Sequence, residues 1–210
     1  MISAVKKFPD KKVVVLTDIA YLDFAGDGAE YRKFLKKLEN PPSNMLPLIA
    51  FSASKGYTMY GMRLGALICM APTEEAAKEF KDVMSVECRG SWSNGNRAAM
   101  TVLANIIQDK ELLKSVTDER NIYMDVLQKR GKAFMEEAAA VDLKICPYDS
   151  GFFITIPCSK AEEVSEELQN DNVYVVTLGQ GIRVSVSSNN EKECRVMPTK
   201  IKAAMQRCGL

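Results

Sequence analysis

Short apolar runs alternate with polar punctuation through the first half of the chain. Runs near residues 12–17, 47–52 and 64–70 are rich in Val, Ile and Leu and bounded by turn-forming residues, which predicts three strands. Between them, Ala29 to Leu38 carries apolar residues at helical spacing, Asn40 to Asn44 reads as a loop around two prolines, and Glu74 to Met84 follows Pro72-Thr73 as a second helix. From about Arg97 the pattern turns helical. Leu113, Val116, Tyr123, Leu127 and Phe134 mark the apolar face of a long helix whose other positions are mostly charged or polar. Beyond Val141 the order becomes strand, loop, strand, helix, strand, helix. Leu143 to Ile145, Gly151 to Ile156, Val173 to Val176 and Ile182 to Val186 are the expected strands. Lys160 to Leu168 is a helix, and Pro198 to Gln206 a closing helix with proline in its first turn. The chain is therefore α/β, divided into residues 1–98, a connecting helix region 99–137 and a small α/β domain 138–210.

Composition narrows the chemistry more than the architecture. At 210 residues the chain is long enough to bury a core in one or two domains, and a formal net charge of +1 leaves no nucleic-acid or membrane footprint. No stretch approaches a transmembrane span, and the N-terminus has no apolar signal region. The six cysteines contain no C-x-x-C pair and read as reduced thiols, which suggests a cytoplasmic protein. There is no histidine, so histidine bases, histidine-dependent triads and histidine metal sites are excluded. Lysine becomes the leading candidate for proton transfer near neutral pH.

One lysine stands out by its place in this pattern. Lys55 closes Phe51-Ser52-Ala53-Ser54-Lys55, directly after an apolar run, and Gly61-Met62-Arg63-Leu64-Gly65 follows. At a strand-to-helix junction an amine can act as a nucleophile toward carbonyls, while Ser52, Ser54 and Arg63 offer the donors that suit a phosphate. Pyridoxal phosphate needs both. Upstream, Asp18 and Tyr21 end the run Val13-Val14-Val15-Leu16. A carboxylate there can keep a pyridinium nitrogen protonated, and a phenol three residues on can reach the ring's 3-oxygen. The alternatives are plain: a surface lysine after a strand, an aspartate that caps a turn and a tyrosine that packs.

The ordered set Asp18-x-x-Tyr21, Ser52-x-Ser54-Lys55, Gly61-x-Arg63-x-Gly65, Arg89-Gly90-Ser91-Trp92-Ser93-Asn94 and Gly181-Ile182-Arg183-Val184-Ser185 resembles the fold-type I aminotransferases, specifically the aspartate and aromatic amino acid aminotransferase group. The resemblance implies that Lys55 holds pyridoxal 5'-phosphate covalently and, once released by substrate, moves the proton between Cα and the cofactor. It implies that Asp18 pairs with the pyridine nitrogen, that Tyr21 bonds the 3-oxygen, and that Ser52, Ser54 and Arg63 hold the phosphate. Arg183 matches the arginine that grips the substrate α-carboxylate. Arg89 matches the one that reaches a distal carboxylate from a neighbouring subunit, with Trp92, Ser93 and Asn94 beside the substrate site; the alternatives are a core aromatic at Trp92 and a turn at Ser93 and Asn94, and Phe153, which matches an aromatic near the substrate side chain, reads first as a core residue. A homodimer acting on amino acids and 2-oxo acids, aspartate and glutamate or aromatic ones, is the expected whole.

By the same resemblance, residues 1–98 are the C-terminal part of a large cofactor-binding domain, a partial sheet with helices, and 138–210 are the small domain. Only seventeen residues precede Asp18, whereas the family places about half its length there, including a phosphate-binding turn and an aromatic that stacks on the cofactor. The chain alone is therefore expected to bind cofactor loosely and turn over little. Each lost charge-assisted hydrogen bond is worth ~1.5–3 kcal/mol, and ~1.4 kcal/mol is tenfold in affinity. Two other readings remain open: a non-catalytic fragment that keeps the motifs, and a fold-type I decarboxylase or lyase.

Overall fold

The computed structural model describes residues 1–26 and 30–210. The chain divides into two compact units, Met1–Arg120 and Asn121–Leu210.

In the first unit a short helix α1 (Ile2–Lys6) leads into β1 (Val13–Asp18), β2 (Met45–Ser52) and β3 (Gly65–Cys69), a three-stranded sheet in the order β1-β2-β3. All three apolar runs become strands. β1 and β2 run parallel, with Val13 opposite Met45 and Asp18 opposite Ala50, and β3 returns antiparallel to β2. Parallel pairing needs a crossover, supplied by the stretch before Met45. There the expected helix from Ala29 begins outside the described residues, and Glu30–Leu38 winds as a 3-10 helix instead. At three residues per turn Arg32, Leu35 and Leu38 form one row, so Leu35 and Leu38 join the core of Val5, Met45 and Ile49. The opposite face of β1 stays open: Val14 and Leu16 are 61% and 60% exposed. On β3, Leu67 and Ile68 are exposed as well.

The helix α2 (Ala53–Gly56) lies between β2 and β3, and α3 (Glu74–Ser91) follows β3. Thr73 caps α3 by accepting from the Ala76 N–H at 3.2 Å, and the helix continues past Met84, where the apolar pattern gave out. α4 (Arg97–Gln108) and α5 (Lys110–Ala140) come next. The inward stripe of α5 runs through Leu113, Val116, Arg120, Met124, Leu127, Gly131 and Phe134, at intervals of three or four residues. Tyr123, expected on that face, is 55% exposed, because Met124 occupies the position the helical period requires.

The second unit builds β4 (Phe153–Pro157), α6 (Ala161–Gln169), β5 (Val176–Thr177), β6 (Gly181–Ser185) and α7 (Glu191–Arg207) into an antiparallel sheet ordered β4-β6-β5. Ile154, Ile156, Ile182 and Val184 on the sheet meet Val164, Leu168 and Ile201 on the helices, all at most 1% exposed. Leu143 to Ile145 forms no strand: Cys146 donates one bond to the Thr155 carbonyl, and Pro147 has no N–H to extend a ladder. The closing helix begins seven residues before Pro198, which lies inside it. Asn190 and Glu193 form a reciprocal capping box that starts the helix earlier than the proline suggested.

Among the described residues no helix is long and apolar enough to cross a membrane. Phe134 is fully buried, so Phe134→Ala is expected to cost ~3–5 kcal/mol through lost contacts and a residual cavity. Val14→Thr on the open face should change stability by less than ~0.5 kcal/mol. Urea titrations followed by circular dichroism check both values.

Candidate functional site

The parallel register decides where the chemistry collects. Asp18 lies opposite Ala50, and the Ile19 N–H bonds the Ala50 carbonyl at 3.0 Å, so both chains leave the sheet at the same end. From β1 the chain turns through Asp18, whose Oδ1 accepts from the Ala20 N–H at 2.9 Å, to Tyr21. From β2 it enters α2, where Ser52 is the N-cap and its Oγ accepts from the Ser54 N–H at 3.2 Å. Lys55 follows one residue into the turn. Strand ends at the carboxyl side of parallel neighbours are where open α/β sheets take ligands.

Direct contacts link Tyr21, Lys55, Arg63 and Ser54, with Tyr60 standing between the lysine and the arginine. Lys55 Nζ lies 4.2 Å from the ring centre of Tyr60 and 5.4 Å from that of Tyr21. Arg63 stacks its guanidinium 5.3 Å from the same Tyr60 ring, donates to the Tyr60 carbonyl at 2.8 Å and reaches Ser54 Oγ at 3.5 Å. Arg63 itself has φ 53°, left-handed backbone that turns the chain sharply before β3. Thus a lysine, an arginine and the Ser54 hydroxyl share one corner, with Ser52 capping the same turn and Asp18 at the end of the neighbouring strand. A primary amine beside guanidinium and hydroxyl donors can condense with an aldehyde while a neighbouring anion is held.

The segment after α3 lies in the same unit but makes its own bonds. Arg89 and Ser91 are in the last turn of α3, and Arg89 donates to Ser93 Oγ at 3.3 Å. Trp92 is 72% exposed, and Asn94 Oδ1 accepts from the Gly95 N–H. Asn96, not anticipated from sequence, caps α4 and donates to the Met62 carbonyl at 3.2 Å, which ties this segment to the residue before Arg63. An asparagine just before a helical run is the signal that marks it.

Arg183 belongs to the second unit. On β6, opposite Thr155 and Val176, it stacks 4.4 Å from the Phe153 ring, and its Nε is buried with no hydrogen-bond partner. A buried guanidinium N–H left unpaired costs free energy, so the site favours an acceptor brought from outside.

Behind Lys55 sits a group of residues that no motif announced. Tyr57 packs edge-on against Phe51 at 6.2 Å, with Arg120 stacked 5.9 Å from its ring. Burial pushes the Tyr57 phenol above its usual value; the Asp23 carboxylate adds to that, while Arg120 and Arg32 oppose it.

Residues 2–201 match the family described as aminotransferase class I and II. A solved aminotransferase structure from Anaerococcus prevotii is 32% identical, superposes with a TM-score of 0.89 and is matched over 98% of this chain but 49% of its own. The aromatic-amino-acid aminotransferase of Burkholderia pseudomallei, solved covalently bound to pyridoxal phosphate, shares the fold at 21% identity and a TM-score of 0.72, over 97% of this chain and 51% of that one. The aromatic-amino-acid aminotransferase of Pseudomonas aeruginosa is 32% identical over 104 residues, 49% of this chain and 25% of that protein. The chain belongs to the class I and II aminotransferase family, and its fold is that of the fold-type I enzymes. It spans about half the length of the solved relatives it matches.

Because the folded Tyr57 value lies above the unfolded one, the native state keeps this proton longer. Its contribution is whole below the unfolded value of about 10 and is lost as pH rises through the folded value. Tyr57→Phe is therefore expected to lose less stability than the parent between about pH 9 and about pH 11. Urea midpoints at the two pH values give the answer; equal losses would contradict it.

Proposed function

We propose that this chain carries the lysine-bearing part of a pyridoxal-phosphate-dependent aminotransferase that exchanges amino groups between amino acids and 2-oxo acids. The observation that carries this reading is the shared corner of Lys55, Arg63 and Ser54 at the end of β2. The donor set fits the cofactor: one amine for its aldehyde, a guanidinium and two hydroxyls for its phosphate, a carboxylate for its ring nitrogen and the Tyr21 phenol for its 3-oxygen. When bound, the cofactor supplies the electron sink that lets a Cα–H bond break.

The chain's own groups divide the remaining work. Lys55 holds the cofactor and then, freed, carries the proton to and from the substrate Cα; its amine is half-buried, within reach of solvent but against two rings. Arg63, Ser52 and Ser54 fix the anion, and Asp18 sustains the positive charge on the ring. The orphaned Nε of Arg183 is the donor for the α-carboxylate of the amino or oxo acid. Arg89 is exposed and, among the described residues, bonds Ser93 of its own segment, which suits a role toward a second subunit and a distal carboxylate; aspartate or glutamate is then the favoured donor, with aromatic amino acids second. The open apolar faces of β1 and β3 support an active enzyme in which further polypeptide covers this sheet.

Borohydride reduction at saturating pyridoxal phosphate, followed by peptide mass spectrometry, tests the assignment. A pyridoxyl group on Lys55, lost in Lys55→Ala and needing roughly tenfold more cofactor in Arg63→Gln, is the expected result. Labelling spread over surface lysines, unchanged in Arg63→Gln, would favour a chain that keeps the motifs without the activity.

A further inference from the structure

Lys55 is one residue from the end of a four-residue helix, too short to hold its own shape in water. Something outside the turn must fix it. The residue that follows Lys55 supplies the answer: the Gly56 carbonyl accepts from Arg120 Nη1 at 3.0 Å, across sixty-four residues of sequence. Arg120 also contacts Thr117 Oγ1 at 3.5 Å, one turn back on α5, and stacks on Tyr57. On the other side of Gly56 lies the Asp23 carboxylate, so close that an added Cβ would collide with its Oδ2. Asp23 is held by an ion pair with Arg32.

The pattern along α5 strengthens the point. Arg120 falls on the inward stripe between Val116 and Met124, where the helical period calls for an apolar side chain. A partly buried arginine in a core row needs a partner that only the charge can serve. The last carbonyls of a helix lack intrahelical donors, and a cation there also meets the negative end of the helix dipole.

We propose that Arg120, with Asp23 and Arg32 on the opposite side of Gly56, is a positioning group for Lys55: it caps the lysine-bearing turn and fixes the direction in which the amine leaves it. Glycine at 56 is then required by the approach of Asp23. This inference rests on the functional reading only for what Lys55 does; the clamp itself is a property of the chain without cofactor.

Amide hydrogen exchange on the full chain tests it. The Tyr57 and Thr58 amides, bonded to Ala53 and Lys55 carbonyls, report the turn directly. In Arg120→Met they are expected to exchange roughly tenfold faster, the loss of one charge-assisted hydrogen bond, while amides of β1 and β6 keep their rates. Arg120→Lys, which keeps a charged donor, should recover most of the protection. Unchanged exchange at Tyr57 and Thr58 in Arg120→Met, or an equal acceleration in β1, would overturn the proposal. Borohydride trapping adds a chemical readout: the pyridoxyl fraction on Lys55 should fall several-fold in Arg120→Met and return in Arg120→Lys. If the parent itself takes no adduct on Lys55, the functional reading fails while the exchange rates still decide the clamp.

Discussion

The parallel pairing of β1 with β2 is the constraint on which the site depends. Sliding that register by one residue would turn Val13 and Val15 away from Met45 and Ile49, so the apolar core fixes it. With the core in place, Asp18 and Ser52 must leave the sheet at the same end, and the turn to Lys55 must follow within one helical turn. The chemistry of the corner is thus a consequence of hydrophobic burial several residues upstream. Gly65 continues the logic: Phe51's carbonyl lies where its Cβ would stand, at 2.7 Å, so β3 can close against β2 only with glycine there and can then bring Arg63 back beside Ser54.

What local pattern encodes was legible from the residues. The three strand runs and the strand-to-helix turn at Lys55 lie within short stretches whose residue types suffice, whereas the left-handed return at Arg63 is not a conformation that arginine signals. Contacts that span long sequence distances were not. Arg120 reads as one more charge on a charged helix, and Tyr60 as one more aromatic, until the fold sets one on Gly56 and the other beneath Lys55. Boundaries failed where one signal outweighed another: Pro198 suggested a helix start, yet the Asn190–Glu193 box begins α7 a turn and more earlier. Position 29 lies outside the described residues; the 3-10 winding from Glu30 reflects the need to stack Leu35 and Leu38 over β1 and β2, which amphipathic spacing alone does not convey.

The two units differ in how much of their central strands they bury. The second buries Ile154, Ile156, Ile182 and Val184 of β4 and β6 together with Val164, Leu168 and Ile201 of its helices, while Val176 on the edge strand β5 stays exposed. The first keeps Val14, Leu16, Leu67 and Ile68 exposed on sheet strands, in a chain that spans about half the length of its solved relatives. The turn that carries Lys55 is only four residues long, with Ala53 and Gly56 buried and its last carbonyl bonded to Arg120. That is why a long-range clamp on Gly56 carries weight here.

The claim that these groups serve one ligand is tested most directly by a crystal structure of the chain after reduction with saturating pyridoxal phosphate. The account predicts the pyridoxyl group on Lys55 Nζ, its phosphate against Ser52, Ser54 and Arg63, and its ring nitrogen toward Asp18. A pyridoxyl group elsewhere, or a phosphate turned away from Arg63, would contradict it.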